Sequence, residues 1–328
     1  MIQNQKNQIV PSRSSFLIRL INKLKSLRNN SCKAEYALVN QRVTSQYKYV
    51  DAFATVSSEH IQDVNLIFKG FQNFPCLSLY IHGSWADQTK TSFSDLDDLI
   101  VVKRDGIKTV REVRKIESWL NRVDMRFCRI DPLQHHGHWI IYEDQLENYD
   151  ESYMPLLVLE NSICLQGEKK ISAKVNIEAT QVGLERNLKV TLLNIENYYI
   201  KYQKNQINLY DMKCLIGSFL LVPAYVFQMK GKRVTKKWAI ENASNIYSAD
   251  VHKVLEICST MRQDWKKALN TFQFELFSIS PKFFTNPHLY RKFAQKFAPK
   301  FPCEVFPTLK QKSVDAFIQE TKDIINEK

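Results

Sequence analysis

An α+β fold is predicted, with a small mixed-sheet domain followed by a helical domain. Three observations point to it. Short apolar runs such as "CLSLYIHG", "DLDDLIVV" and "HWIIY" alternate with helix-like segments up to about residue 167. From residue 177 onward the apolar spacing is almost entirely helical. The chain has 328 residues, enough for two domains. The expected division is a basic helical extension over 1–50, a sheet domain over 51–172 and a helical domain over 173–328.

Each element has its own signal. "SSFLIRLINKLKSLRNN" spaces Phe16, Leu17, Leu20, Ile21, Leu24 and Leu27 at three- and four-residue intervals, an amphipathic helix with a basic outer face. "SSEHIQDVNLIFKGF" reads as a capped helix, and "CLSLYIHG" as a strand ending at Gly83. "SWADQTK" reads as a short helix, "TSFS" as a turn and "DLDDLIVV" as a strand. "KTVREVRKIESWLNRV" is a helix, and "MRFCRID" is expected to be a further strand reaching Asp131. "HWIIY" and "SICLQG" are strands, and "GKKISAK" lies near the domain boundary. Helices follow at "GLERNLKVTLLNIENYYIKYQ", "LYDMKCLIGSFLLVPAYVFQMKG", "TKKWAIENAS" and "ADVHKVLEICSTMRQDW". The proline-rich stretch 281–310 is expected to be irregular, and "QKSVDAFIQETKDIINEK" closes the chain as a helix.

Composition narrows the class. Hydrophobic content is 44% and charged content 24%, ordinary for a globular protein. The longest apolar run, "CLIGSFLLVPAYVF", falls short of the roughly 20 residues of a membrane span, so none is expected. No secretory signal pattern is read at the N-terminus. Seven scattered cysteines without a C-x-x-C predict reduced thiols and a cytoplasmic protein. The net charge of +12 is uneven. Residues 1–48 carry nine Lys/Arg against Glu35, and residues 281–312 carry seven against Glu304. Such blocks favour a polyanionic partner, with RNA or tRNA the expected one.

The chemistry concentrates in "HGSWADQTKTSFSDLDDLIVV", residues 82–102. Side chains on a strand alternate faces, so Asp95 and Asp97 project together and Asp98 points away. Paired carboxylates are oxygen ligands for a hard dication. Gly83 permits close backbone approach, and the turn at Ser84 offers free N–H groups to a phosphate. Asp98 either caps the strand or meets a basic neighbour.

Gly-Ser, about ten residues and then Asp-x-Asp between apolar residues resembles the signature of the DNA polymerase β-like nucleotidyltransferase superfamily. The likeness is close over 82–102 and looser through residue 167. It implies transfer of NMP from an NTP, ATP being the expected donor, with two Mg²⁺ ions held by Asp95 and Asp97. The resemblance also implies a third acid, from a neighbouring strand, that ligates metal and activates the attacking hydroxyl. Asp131 is the expected third acid, and Asp124 is its rival, otherwise read as a turn residue. Gly83, Ser84 and Lys213 are the expected triphosphate ligands, with Ser218, Lys232, Lys236 and Lys237 further candidates. His82 is read as a structural strand-end residue. His135, His136 and His138 cluster in "HHGH", but no cysteine or further spaced histidine completes a zinc set. A non-catalytic nucleotide- or RNA-binding module on the same fold is the alternative. A protein-modifying (toxin-type) or an aminoglycoside-type transferase also remains open.

Overall fold

Strand β2 (Leu77–His82) is buried at all six positions, which requires cover on both faces of its sheet. The computed structural model describes residues 46–55 and 62–326, and it supplies both covers. A four-stranded sheet has the order β4-β3-β2-β5, with β3 at Asp97–Val102, β4 at Trp139–Tyr142 and β5 at Ile163–Gln166. β2 runs antiparallel to β3 and β5, and β3 runs parallel to β4. The parallel pair needs a crossover, provided by helix α2 (Val110–Ile130), while α1 (Gln62–Ile67) packs beside it. On that face Leu77, Leu79, Ile81, Ile100 and Val102 meet Val64, Phe68, Ile116, Trp119, Val123 and Phe127. On the other face Tyr80, Leu99 and Val101 meet Val50, Ala52, Ile171 and Ala173. These last four come from a two-stranded sheet of β1 (Tyr47–Phe53) and β6 (Lys170–Asn176). The alternation along β2 and β3 thus divides their side chains between two cores.

The rest is helical: α3 (Ile177–Gln203), α4 (Leu209–Met229), α5 (Lys236–Glu241), α6 (Ala249–Gln263), α7 (Lys266–Leu269), α8 (Phe272–Ser278), α9 (Pro287–Phe297) and α10 (Gln311–Asn326). The chain is therefore α+β, a small sheet region followed by a helical domain. α4 is long and apolar enough to cross a membrane by length and composition alone. Yet 67% of its apolar window is buried, and α4 packs against α3, α5 and α6 as the central helix of the domain. Phe93, Met125, Cys128 and Leu133 from the sheet half join the same helical core.

Several expectations are corrected. "MRFCRID" is not a strand: Val113, Ile116, Leu120, Val123 and Phe127 keep one three- and four-residue stripe buried, and α2 runs on to Ile130. Its start is a capping box between Thr109 and Glu112, and it stops where Pro132 disfavours a helical Asp131. "GKKISAK" is a strand, so the expected boundaries at 50 and 172 fall inside β1 and β6, which pair with each other. Residues 287–297, expected to be irregular, form α9, with Asn286 as N-cap and Pro287 in the first turn. "SWADQTK" contains only a single tight turn, Gly83–Trp85. The amphipathic helix of the N-terminal extension, and the start of the "SSEHIQ" helix, lie outside the described residues.

Candidate active site

The acids come together at the seam between the two halves. β3 begins at Asp97, so Asp95 sits in the loop before the strand rather than on it. Asp97 is paired across the sheet with His82, the last residue of β2. The chain then turns at Gly83 with φ of +69°, a left-handed conformation that favours glycine, and a Cβ there would lie 3.6 Å from Asp97 Oδ2. The space beside Gly83 is therefore bordered by the Asp97 carboxylate. Ser84 is half-buried beside it.

Asp131 is not on a strand beside β3, as expected; it is the C-cap residue of α2. Its carboxylate nonetheless reaches the same place. Lys213, fully buried on α4, donates from Nζ to Asp95 Oδ1 at 2.8 Å and to Asp131 Oδ2. Asp131 Oδ1 accepts from Leu133 N at 2.9 Å, which fixes the turn after the helix. Lys213 was expected to face a triphosphate; its charge is instead neutralised by two carboxylates. Desolvation disfavours the Lys213 charge, but Asp131 and Asp95 outweigh it and hold the lysine above its ordinary value. Burial also works against the Asp95 carboxylate, but His135 and Lys213 hold it well below the ordinary range. Burial dominates at Asp97 and lifts its carboxyl.

Asp98 is fully buried on the opposite face, against His138, whose Nδ1 lies 2.5 Å from Asp98 Oδ2. His138 Nε2 lies 2.9 Å from the Leu120 carbonyl. Burial pushes His138 down, but the Asp98 charge and hydrogen bond reverse this and leave it above its ordinary value. With both ring nitrogens facing acceptors, His138 ties β3 to α2. Asp98 thus meets a basic neighbour, the second of its two expected roles. Asp124 lies mid-helix, and both its oxygens are taken by a two-pronged ion pair with Arg291 of α9, with Nη1–Oδ2 at 3.0 Å.

Two residues without any sequence signal hold this cluster. Gln134, fully buried, accepts from Leu96 N at 3.1 Å and donates to Leu96 O and to His136 O, each at 3.0 Å. It clamps the residue between Asp95 and Asp97 onto the histidine loop. Arg291 also donates to Gln134 O at 3.3 Å and to His136 O at 2.7 Å. The Tyr290 hydroxyl donates to Pro132 O at 2.8 Å. The loop 131–138 is therefore mounted on α9 as well as on the sheet.

One further cation faces the acids, and a second lies beside it. Lys236 feels the Asp97 and Asp95 charges, yet burial and then Arg262 push it down to about 8. Arg262 is likewise lowered by burial, with Asp87 opposing. Among the described residues neither has a carboxylate within ion-pair distance. Lys232 and Lys237 lie exposed, and Ser218 is half-buried on α4. A shallow hollow on the exposed face of α2, lined by Arg114, Glu117, Asn121, Arg122 and Thr285, includes none of these acids. No family model, no curated protein and no solved structure matches the chain.

Proposed function

We propose that the chain transfers a nucleoside monophosphate from an NTP to an acceptor hydroxyl, as its resemblance to the polymerase β-like nucleotidyltransferases implies. The observation that carries the reading is the approach of the Gly83 turn to Asp97, with Asp95 and Asp131 converging on Lys213 nearby. Asp97 and the Asp95 Oδ2 oxygen supply hard donors that suit the Mg²⁺ implied by the resemblance. When bound, the dication would offset the negative charge of the phosphates.

The chain's own residues do the rest. Gly83 leaves room for a phosphate against the backbone, and Ser84 offers its hydroxyl. Lys236 and Arg262, which have no ion-pair partner of their own, attract the triphosphate. Asp131 takes the proton of the attacking hydroxyl, and burial, which lifts its carboxyl above the ordinary range, supplies the basicity. Asp131 departs from the family pattern in leaving a helix end rather than a strand. For the acceptor, the exposed Lys282, Lys292, Lys296 and Lys300 lie among the exposed Phe283, Leu289 and Phe297, a surface suited to RNA phosphates and bases.

Incubation with labelled ATP, GTP, CTP and UTP, Mg²⁺ and total RNA or cell extract tests the reading. Label should move to one acceptor class, and Asp95→Asn with Asp97→Asn should abolish the movement while leaving the fold intact. Full activity in the double variant refutes the assignment. A second reading, a non-catalytic nucleotide- or RNA-binding module, is favoured by one observation: Lys213 already neutralises Asp95 and Asp131. Triphosphate or RNA binding without transfer of label would select it.

A further inference from the structure

β4 runs parallel beside β3 with Leu99 level with Trp139. The residues two places before each are Asp97 and Gly137, so the neighbouring strand enters the sheet beside the acids through the histidine loop and brings no carboxylate there. His135 Nδ1 lies 2.9 Å from Asp95 Oδ2, and the His135 and His136 rings are 3.9 Å apart at their centres. Ligand atoms of Asp95, His135 and His136 all lie within 4.8 Å of one another.

We infer that Asp95 Oδ2, His135 and His136 form a binding site for a first-row transition dication, of the Zn²⁺ or Co²⁺ type. Three features carry this. His135 Nδ1 is buried and faces Asp95 Oδ2 at 2.9 Å, with the His136 ring against it, so three donor atoms are already drawn to one point. The ligands are also held from behind. Lys213 occupies Asp95 Oδ1 and leaves Oδ2 forward, while Gln134 and Arg291 fix the backbone of His136. Metal-binding carboxylates and histidines characteristically have such outer partners. Finally, the donor set is two imidazoles and one carboxylate. Imidazole suits Zn²⁺, Fe²⁺ and Ni²⁺, whereas Mg²⁺ takes oxygen ligands. A buried imidazole nitrogen without a hydrogen-bond partner, His82 Nε2, lies on the residue paired with Asp97.

The inference shares Asp95 with the transferase reading but stands on imidazoles that reading does not use. The test is calorimetric titration of the full chain with Zn²⁺ in excess Mg²⁺, with Co²⁺ absorption as a second readout. One equivalent should bind, and His135→Gln and His136→Gln should each weaken it at least about ten-fold. His252→Gln, a surface histidine on α6 beside Glu256, should change nothing. Absence of Zn²⁺ binding, or wild-type affinity in both loop variants, overturns the site. Should those variants fail to fold, pulsed electron spin resonance of the Cu²⁺-loaded wild-type chain counts coordinated imidazoles. Two support the site and fewer overturn it. Zn²⁺ binding without label transfer leaves the site standing and removes the transferase reading; label transfer with Mg²⁺ in a chain that binds no Zn²⁺ does the reverse.

Discussion

Replacing Lys213 with methionine keeps the length of a buried side chain and removes its charge. In the wild-type protein one ammonium with no exposure serves two carboxylates, Asp95 and Asp131. At the 2.8 Å contact with Asp95, an effective dielectric constant of about 20 gives an attraction of about 6 kcal/mol. Part of this is offset, because methionine needs no desolvation of an ammonium. What remains is the cost of two carboxylates facing each other in a buried site, and breaking such a pair from one side typically costs about 3–5 kcal/mol. Lys213→Met should therefore lower the unfolding free energy by about that amount in urea titrations at neutral pH. At about 2 °C per kcal/mol for a chain of this size, the melting temperature should fall by about 6–10 °C. The triple variant Lys213→Met, Asp95→Asn, Asp131→Asn removes all three charges together and should recover most of the loss. A loss below about 1 kcal/mol in the single variant, or no recovery in the triple, would refute the role of Lys213 as internal counter-ion.

Other outcomes follow from single contacts. Gly83→Ala should cost about 1–2 kcal/mol in denaturant titrations through its φ of +69°; the new methyl would meet Asp97 Oδ2 only at ordinary contact distance, 3.6 Å. Asp124→Ala leaves Arg291 without its carboxylate in a nearly buried place and should destabilise by about 3 kcal/mol; a variant as stable as wild type would show the pair to be dispensable. The triphosphate affinity should depend on Lys236, which titrates at about 8. Its charged form attracts phosphate, so affinity for a non-hydrolysable NTP should fall as pH rises through about 8, and Lys236→Gln should flatten that profile.

β2 to β5 and the acidic motif are legible because they depend on local pattern, whereas β1 and β6 are not read as strands. Asp97 and Asp98 alternate faces as β geometry requires, and Gly83 marks a turn that few other residues adopt. The failures are of a different kind. "MRFCRID" is rich enough in apolar residues to pass for a strand, and only the buried stripe carried over from Val113 and Ile116 shows that α2 continues. α9 was hidden by prolines on either side of it, although Pro287 favours a helix start at that position. Lys213 stands where a functional lysine was expected, but its role is set by two acids, 118 and 82 positions away in the chain. Gln134 and Arg291 carry no pattern at all. Their importance comes from contacts 38 and 167 positions apart, which only the folded chain brings together.

The placement of charge suggests an order of events in the proposed reaction. Asp95 and Asp131 share the Lys213 ammonium, and Asp97 adds a third carboxyl beside Asp95. A triphosphate approaching Gly83 meets the Asp97 carboxylate, which borders the space beside the glycine. Lys236 and Arg262 attract it, but they also feel acidic neighbours, Asp97 and Asp87. A dication held by Asp95 and Asp97 would offset this repulsion. In this reading the cation binds before the nucleotide, and the affinity for NTP without a divalent ion is weak. The same seam joins the sheet half to the helical half through Lys213 and Arg291. Charge brought to the acids therefore acts on the contact between the halves as well as on the nucleotide.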